Sequence, residues 1–178
     1  NTLGGFSLST NASIHRCIAD SNSGATTDGF QAGFGGNEIV NCVSYNSGRD
    51  GFRVVSATAC INCIADDNAG TGFNVNPVAS NAALFINCAA YSNTTADFTI
   101  GTGAGNFNVG AITLTGSPFT NAASRDFSLN NTSGAGASCR DAGIPGVSPD
   151  GLTTGYLDIG YAQHQATAGG GGAHSAVF

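Results

Sequence analysis

The chain has 178 residues, 11 of them acidic against five basic, for a net charge of −6; only 9% of residues are charged and 41% are apolar. Such a composition excludes a solvated disordered tail, and without a basic stripe to displace phosphate counterions it excludes a nucleic-acid partner. No apolar run reaches the roughly 18 residues of a membrane span, so no span is expected.

The sequence starts at Asn1 and contains no methionine, which reads as a processed product or a fragment of a longer translation product. Gly5-Phe6-Ser7-Leu8 already has the form of the aromatic half of a repeat, so the chain is expected to begin inside a coil. One short strand is then written four times, as Arg16-Cys17-Ile18-Ala19, Asn41-Cys42-Val43-Ser44, Asn62-Cys63-Ile64-Ala65 and Asn87-Cys88-Ala89-Ala90. Each copy is answered, after a polar stretch, by Gly29-Phe30, Gly51-Phe52, Gly72-Phe73 or Asp97-Phe98. The cysteines step by 25, 21 and 25 residues and the phenylalanines by 22, 21 and 25. A repeat of that length is one coil of a solenoid, which buries its apolar face only by stacking on its neighbours.

Strand alternation assigns the faces. Ile14, Ile39, Cys60 and Phe85 form one inward column. Cys17, Cys42, Cys63 and Cys88 form a second, the small residues Ala19, Ser44, Ala65 and Ala90 a third, and Phe30, Phe52, Phe73 and Phe98 an aromatic ladder. Asn41, Asn62 and Asn87 fall at the bend before each cysteine, where amides can hydrogen-bond from coil to coil, and Arg16 interrupts that column. If the cysteines face in, Ile18, Val43, Ile64 and Ala89 face out as an apolar stripe. A stripe of that kind calls for a cover: a loop of the same chain, a neighbouring subunit or the C-terminal segment.

Beyond residue 100 the period loosens. Phe107-Asn108-Val109 and Ala111-Ile112-Thr113-Leu114 still read as strands, and Asp126-Phe127-Ser128-Leu129 restores the aromatic answer 29 residues after Phe98. The predicted architecture is all-β, a right-handed parallel β-helix of about six coils over residues 1–130, with an irregular C-terminal cap over residues 131–165 and a Gly-rich extended tail over residues 166–178.

These repeats resemble those of right-handed parallel β-helix proteins, the broad pectate-lyase-like superfamily, over roughly residues 5–130. Pro118-Phe119-Thr120-Asn121, Asp126-Phe127-Ser128-Leu129, Cys139-Arg140-Asp141-Ala142-Gly143 and Leu157-Asp158-Ile159-Gly160 resemble the closing segment of secreted bacterial β-helix proteins. The resemblance implies an extracellular or cell-surface location. It implies no single activity, because the scaffold carries lyases, hydrolases, tailspikes, adhesins and fibres alike.

Candidate chemistry is sparse. Cys60-Ile61-Asn62-Cys63 has the spacing of a zinc half-site without a second pair, so the cysteines are read as small buried hydrophobes; a Cys42–Cys63 disulfide stays open. Neither a metal nor a cofactor is expected. If the protein is an enzyme, Asp66, Asp67, Arg49 and Arg53 are the candidates, in a groove with Asp50, Tyr45 and Tyr91. The polygalacturonase pattern of Gly-His-Gly with Arg-x-Lys is absent, and all five basic residues are arginines. His15, His164 and His174 have no partner that spacing alone can place.

The leading expectation is a non-catalytic structural subunit that polymerises with copies of itself, end to end. Its interface would comprise Phe6, Leu8, Ile18, Val43 and Ile64, met by Ala176, Val177 and Phe178 of the tail. The alternative is a carbohydrate-binding or polysaccharide-cleaving β-helix fragment.

Overall fold

The computed structural model describes residues 5–75, 82–103, 105–140, 142–144 and 158–163. Asp141, Asp150, the stretch 145–157, His164, His174 and the tail with Ala176, Val177 and Phe178 lie outside the described residues.

The strand β1 (Phe6–Leu8) precedes four complete coils. The first is β2 (Ser13–His15), β3 (Ile18–Asp20) and β4 (Phe30–Ala32); the second is β5 (Asn37–Val40), β6 (Val43–Tyr45) and β7 (Phe52–Val54). The third is β8 (Thr58–Ile61), β9 (Ile64–Asp66) and β10 (Thr71–Val75); the fourth is β11 (Ala83–Ile86), β12 (Ala89–Tyr91) and β13 (Ala96–Thr99). β14 (Phe107–Val109) and β15 (Ile112–Thr113) open another turn. Stacking produces three parallel five-stranded sheets: an aromatic sheet β1-β4-β7-β10-β13, a middle sheet β2-β5-β8-β11-β14 and a flank sheet β3-β6-β9-β12-β15. The fold is therefore an all-β parallel solenoid of about four turns, fewer than the six that the repeat count suggests.

Between the middle and flank strands the backbone turns through left-handed residues: Arg16, Asn41, Asn62 and Asn87 have φ of 52°, 52°, 52° and 46°. Asparagine tolerates that conformation better than other side chains, which explains its recurrence there. A second corner after the flank strands repeats the device at Ser21, Asn46, Asp67 and Ser92. Just past the first corner each thiol donates to the carbonyl two residues back, at 3.3 Å for Cys42 to Val40 and for Cys63 to Ile61. Cysteine suits the position because it is small, apolar and still satisfies a corner carbonyl. All six cysteines are free thiols.

The registered columns match the expected ones. Ile14, Ile39, Cys60 and Phe85 lie over one another, as do Ala19, Ser44, Ala65 and Ala90. Phe6, Phe30, Phe52, Phe73 and Phe98 stack with centroids 4.9, 4.8, 4.7 and 5.1 Å apart and planes within 10°. Offset stacking of this kind adds about 0.5–1.5 kcal/mol per pair beyond burial. The glycine before each of the first four rings has a steric cause. A Cβ on Gly51 would stand 2.7 Å from the Gly72 carbonyl and 2.9 Å from the Asn68 amide, and one on Gly72 would stand 2.7 Å from the Asn93 amide.

Those amides belong to an interior polar ladder that the repeat pattern does not announce. Asn68 Oδ1 accepts from the Ser47 N–H and the Ser44 hydroxyl at 3.0 Å, and Asn68 Nδ2 donates to Asn93 Oδ1 at 2.8 Å. Buried amides are tolerable when so paired. The asparagines at the other corner do not pair coil to coil as expected. Asn62 Oδ1 accepts from the Ile144 N–H and Asn87 Nδ2 donates to the Ala142 carbonyl, both at 2.9 Å, so these side chains hold the closing segment.

That segment also departs from expectation. The solenoid ends at β15, and β16 (Phe119–Asn121) and β17 (Asp126–Leu129) pair antiparallel around a 3-10 turn, Ala122–Ser124. Phe127 does not extend the ladder; it meets Tyr45 and Phe119 edge-on, at 5.6 and 5.2 Å. The described part of residues 131–165 packs on the flank of the solenoid. Leu114, Phe119, Phe127, Leu129, Cys139 and Ile159 form a second core with Val43, Ile64 and Ala89. The stripe expected to need a cover has one, supplied by the same chain. Val43 and Ile64, proposed as intersubunit contacts, are fully buried there and present no surface to another copy. Burial of each contributes about 1.5–3 kcal/mol.

Candidate functional site

Where the closing segment crosses the flank sheet it leaves a cleft of about 370 Å³. Its floor is the outward column next to the buried stripe, in which Tyr45, Asp66 and Tyr91 occupy successive coils in register, with Asp20 one coil earlier in the adjoining groove. Its far wall is the closing hairpin, through Ser117, Phe119 and Asn121. Asp67, held left-handed at φ 57° by the corner, stands exposed at its edge.

Asp66 is the unusual group. It is 1% exposed, its Oδ2 accepts from the Ser117 hydroxyl at 2.7 Å, and its Oδ1 has no hydrogen-bond partner. Burial pushes its carboxyl up to about 6, Asp67 and Asp97 push the same way, and the Ser117 hydrogen bond pulls it back. Tyr45 is also raised, first by burial and then by Asp67, Asp66 and Asp20. In both groups burial is the main cause and the neighbouring carboxylates add to it. A carboxylate left half-satisfied in a concave site is the kind of group that function perturbs. In the adjoining groove Asp20 is paired with Arg125 across 2.7 Å.

The sequence-predicted enzyme candidates are not assembled into one groove. Asp66, Asp67, Tyr45 and Tyr91 line the cleft together. Arg49 is turned to Asp28, which is fully buried, with Nε 2.7 Å from Oδ1 and a second contact to Oδ2. Arg53 lies on the aromatic sheet in register with Gln31 and Asn74, and Asp50 accepts from the Thr71 N–H and the Asn74 amide. These three residues organise the aromatic side of the coil. Asp66 and Asp67 are adjacent on one corner, so they do not face each other across a saccharide as an acid and base would.

No protein-family model, curated protein or solved structure matches the chain. The architecture thus rests on strand register, and the site on its own geometry.

The structure supplies a partner for one histidine that spacing could not place. Ser13 Oγ lies 2.7 Å from His15 Nε2 and 3.2 Å from Glu38 Oε2, and His15 Nε2 is 3.7 Å from the same carboxylate oxygen. Serine and glutamate both address Nε2, so the carboxylate does not orient the ring through its other nitrogen as a nucleophilic triad requires. Cys60, Cys63 and Cys139 are equally quiet. Burial holds the Cys60 and Cys63 thiols well above their ordinary range and pushes Cys139 up to about 12, which removes the thiolate that chemistry needs.

Proposed function

We propose that this chain is a non-catalytic structural module of an extracellular or cell-surface assembly, and that it elongates by stacking a second copy on its β13–β15 edge. The observation that carries the reading is the state of that edge. On β14, Phe107 is 59% and Val109 53% exposed, and Phe98, the last ring of the ladder, is only half-buried. Among the described residues the closing segment goes to the flank, leaving an edge of unpaired backbone groups and unmatched apolar side chains, the feature through which sheets add strands. The column positions at β1–β3 show what an incoming coil offers: Phe6 in the ladder, Ile14 and Cys17 in the other inward columns. The likeness of the closing segment to that of secreted bacterial β-helix proteins supports the location.

A polysaccharide-cleaving role has less behind it, since neither Arg49 nor Arg53 lines the Asp66–Asp67 cleft. Sedimentation velocity and negative-stain imaging over a concentration series test the stacking. Short rods that lengthen with concentration, and that Phe107→Asp and Val109→Asp reduce to single particles, are expected. A single monomeric species throughout would end the proposal.

A further inference from the structure

The cleft between the flank sheet and the closing hairpin contains more than structural stacking requires. Two tyrosines stand on either side of Asp66 in the same outward column, one coil above and one below, a spacing of about 4.8 Å per coil. Asp66 is 1% exposed, lines the cleft, and has a buried oxygen, Oδ1, that nothing satisfies. Its last torsion is broad, so a small turn of the carboxylate brings that oxygen to an entering donor. The charged residues lining the cleft, Asp66 and Asp67, are both acidic, and Arg125 of the adjoining groove is engaged by Asp20.

We infer that this cleft binds a protonated amine, carried on a lysine-like side chain or an amino sugar, with the ammonium between Asp66 and Asp67 and its stem against Tyr45 and Tyr91. An ammonium brings three donors and a positive charge, so it answers the orphan oxygen and the like-charged pair at once. A neutral hydroxyl would satisfy the oxygen and leave the pair repelling. The tyrosine faces add attraction for a cation that they do not add for an uncharged group. The volume of about 370 Å³ exceeds what a bare ammonium fills and accommodates an aliphatic or pyranose stem. These 178 residues contain no lysine, so such a side chain comes from outside them.

Four probes decide the matter by titration against the ¹⁵N-labelled chain: Nα-acetyl-lysine amide, its Nε-acetylated form, glucosamine and N-acetylglucosamine. Saturable shifts at the Tyr91, Ser92 and Ser117 amides are expected with the free amines and not with their acetylated counterparts, and the amine that binds more tightly identifies the stem. Asp67→Asn, at an exposed corner where asparagine is well tolerated, and Tyr91→Ala should each weaken binding roughly tenfold. Asp66→Asn should weaken it further, provided its spectrum shows the hairpin still docked. Equal response to the acetylated forms, no saturable shift with either amine, or undiminished binding by Asp67→Asn would each overturn the inference.

Discussion

Ile18, Val43, Ile64, Ala89 and Ile112 make one outward column, on the flank sheet; His15, Val40, Ile61, Ile86 and Val109 make the corresponding column on the middle sheet, each three residues earlier in the chain. From the second coil onward both are aliphatic. On the flank sheet Val43, Ile64 and Ala89 are fully buried beneath the closing hairpin, whereas Val40, Ile61 and Ile86 stay partly exposed and Val109 is mostly so. Alternation along a strand decides which way a side chain points. It does not decide what arrives on that face, which depends on where the chain goes after the repeats stop.

Cutting back one residue of each column measures that difference. Ile64→Ala opens a cavity in a sealed core and should lower unfolding stability by about 3 kcal/mol, while Ile61→Ala, partly in solvent, should cost less than about 1 kcal/mol. Denaturant titration of the two variants is sufficient. Equal losses would mean that the hairpin does not seal the flank in solution.

An effect of comparable size lies at the seam itself. The folded carboxyl of Asp66 titrates near 6, above its ordinary value of 3.8, because burial disfavours its charge. The fold thus holds that proton more tightly than the unfolded chain does, so the group favours the folded state most below the unfolded value, and this advantage is lost as pH rises through the folded one. Asp66→Asn removes the dependence. The stability of the wild type relative to that variant should therefore fall by up to about 3 kcal/mol between about pH 4 and about pH 7.5. A flat difference would show that water reaches Asp66 and that the seam is looser than drawn. Smallest of all is Arg125→Ala. Its side chain is 77% exposed, so loss of the Asp20 pair should change stability by less than about 1 kcal/mol, more at low salt than at high.

What could be read from the sequence followed the repeats. Cys42 over Cys63 and Phe52 over Phe73 were legible because copies of one coil place like residues in register, and the outward stripe was legible as a face needing a cover. The occupant of that face was not. Phe127 arrives at a spacing close enough to the repeat to suggest another coil, yet Arg125, left-handed at φ 62°, closes a hairpin that turns the ring outward against Tyr45. Ser117 gives no signal at all. Its significance lies in reaching Asp66 from 51 residues away, and no local pattern encodes such a contact. The Asn68–Asn93 ladder is intermediate, since its members recur at the repeat length but hide among the many other asparagines of the loops.

The sulfur column also gives the molecule an internal gauge of its own opening. Cys17 sits half-covered on the first coil, and Cys42, Cys63 and Cys88 lie completely enclosed on the next three. An alkylating reagent reaches an enclosed sulfur only when its coil comes apart. The order and speed with which the four sulfurs are consumed would therefore chart, turn by turn, whether the solenoid unravels from an end or lets go as a unit.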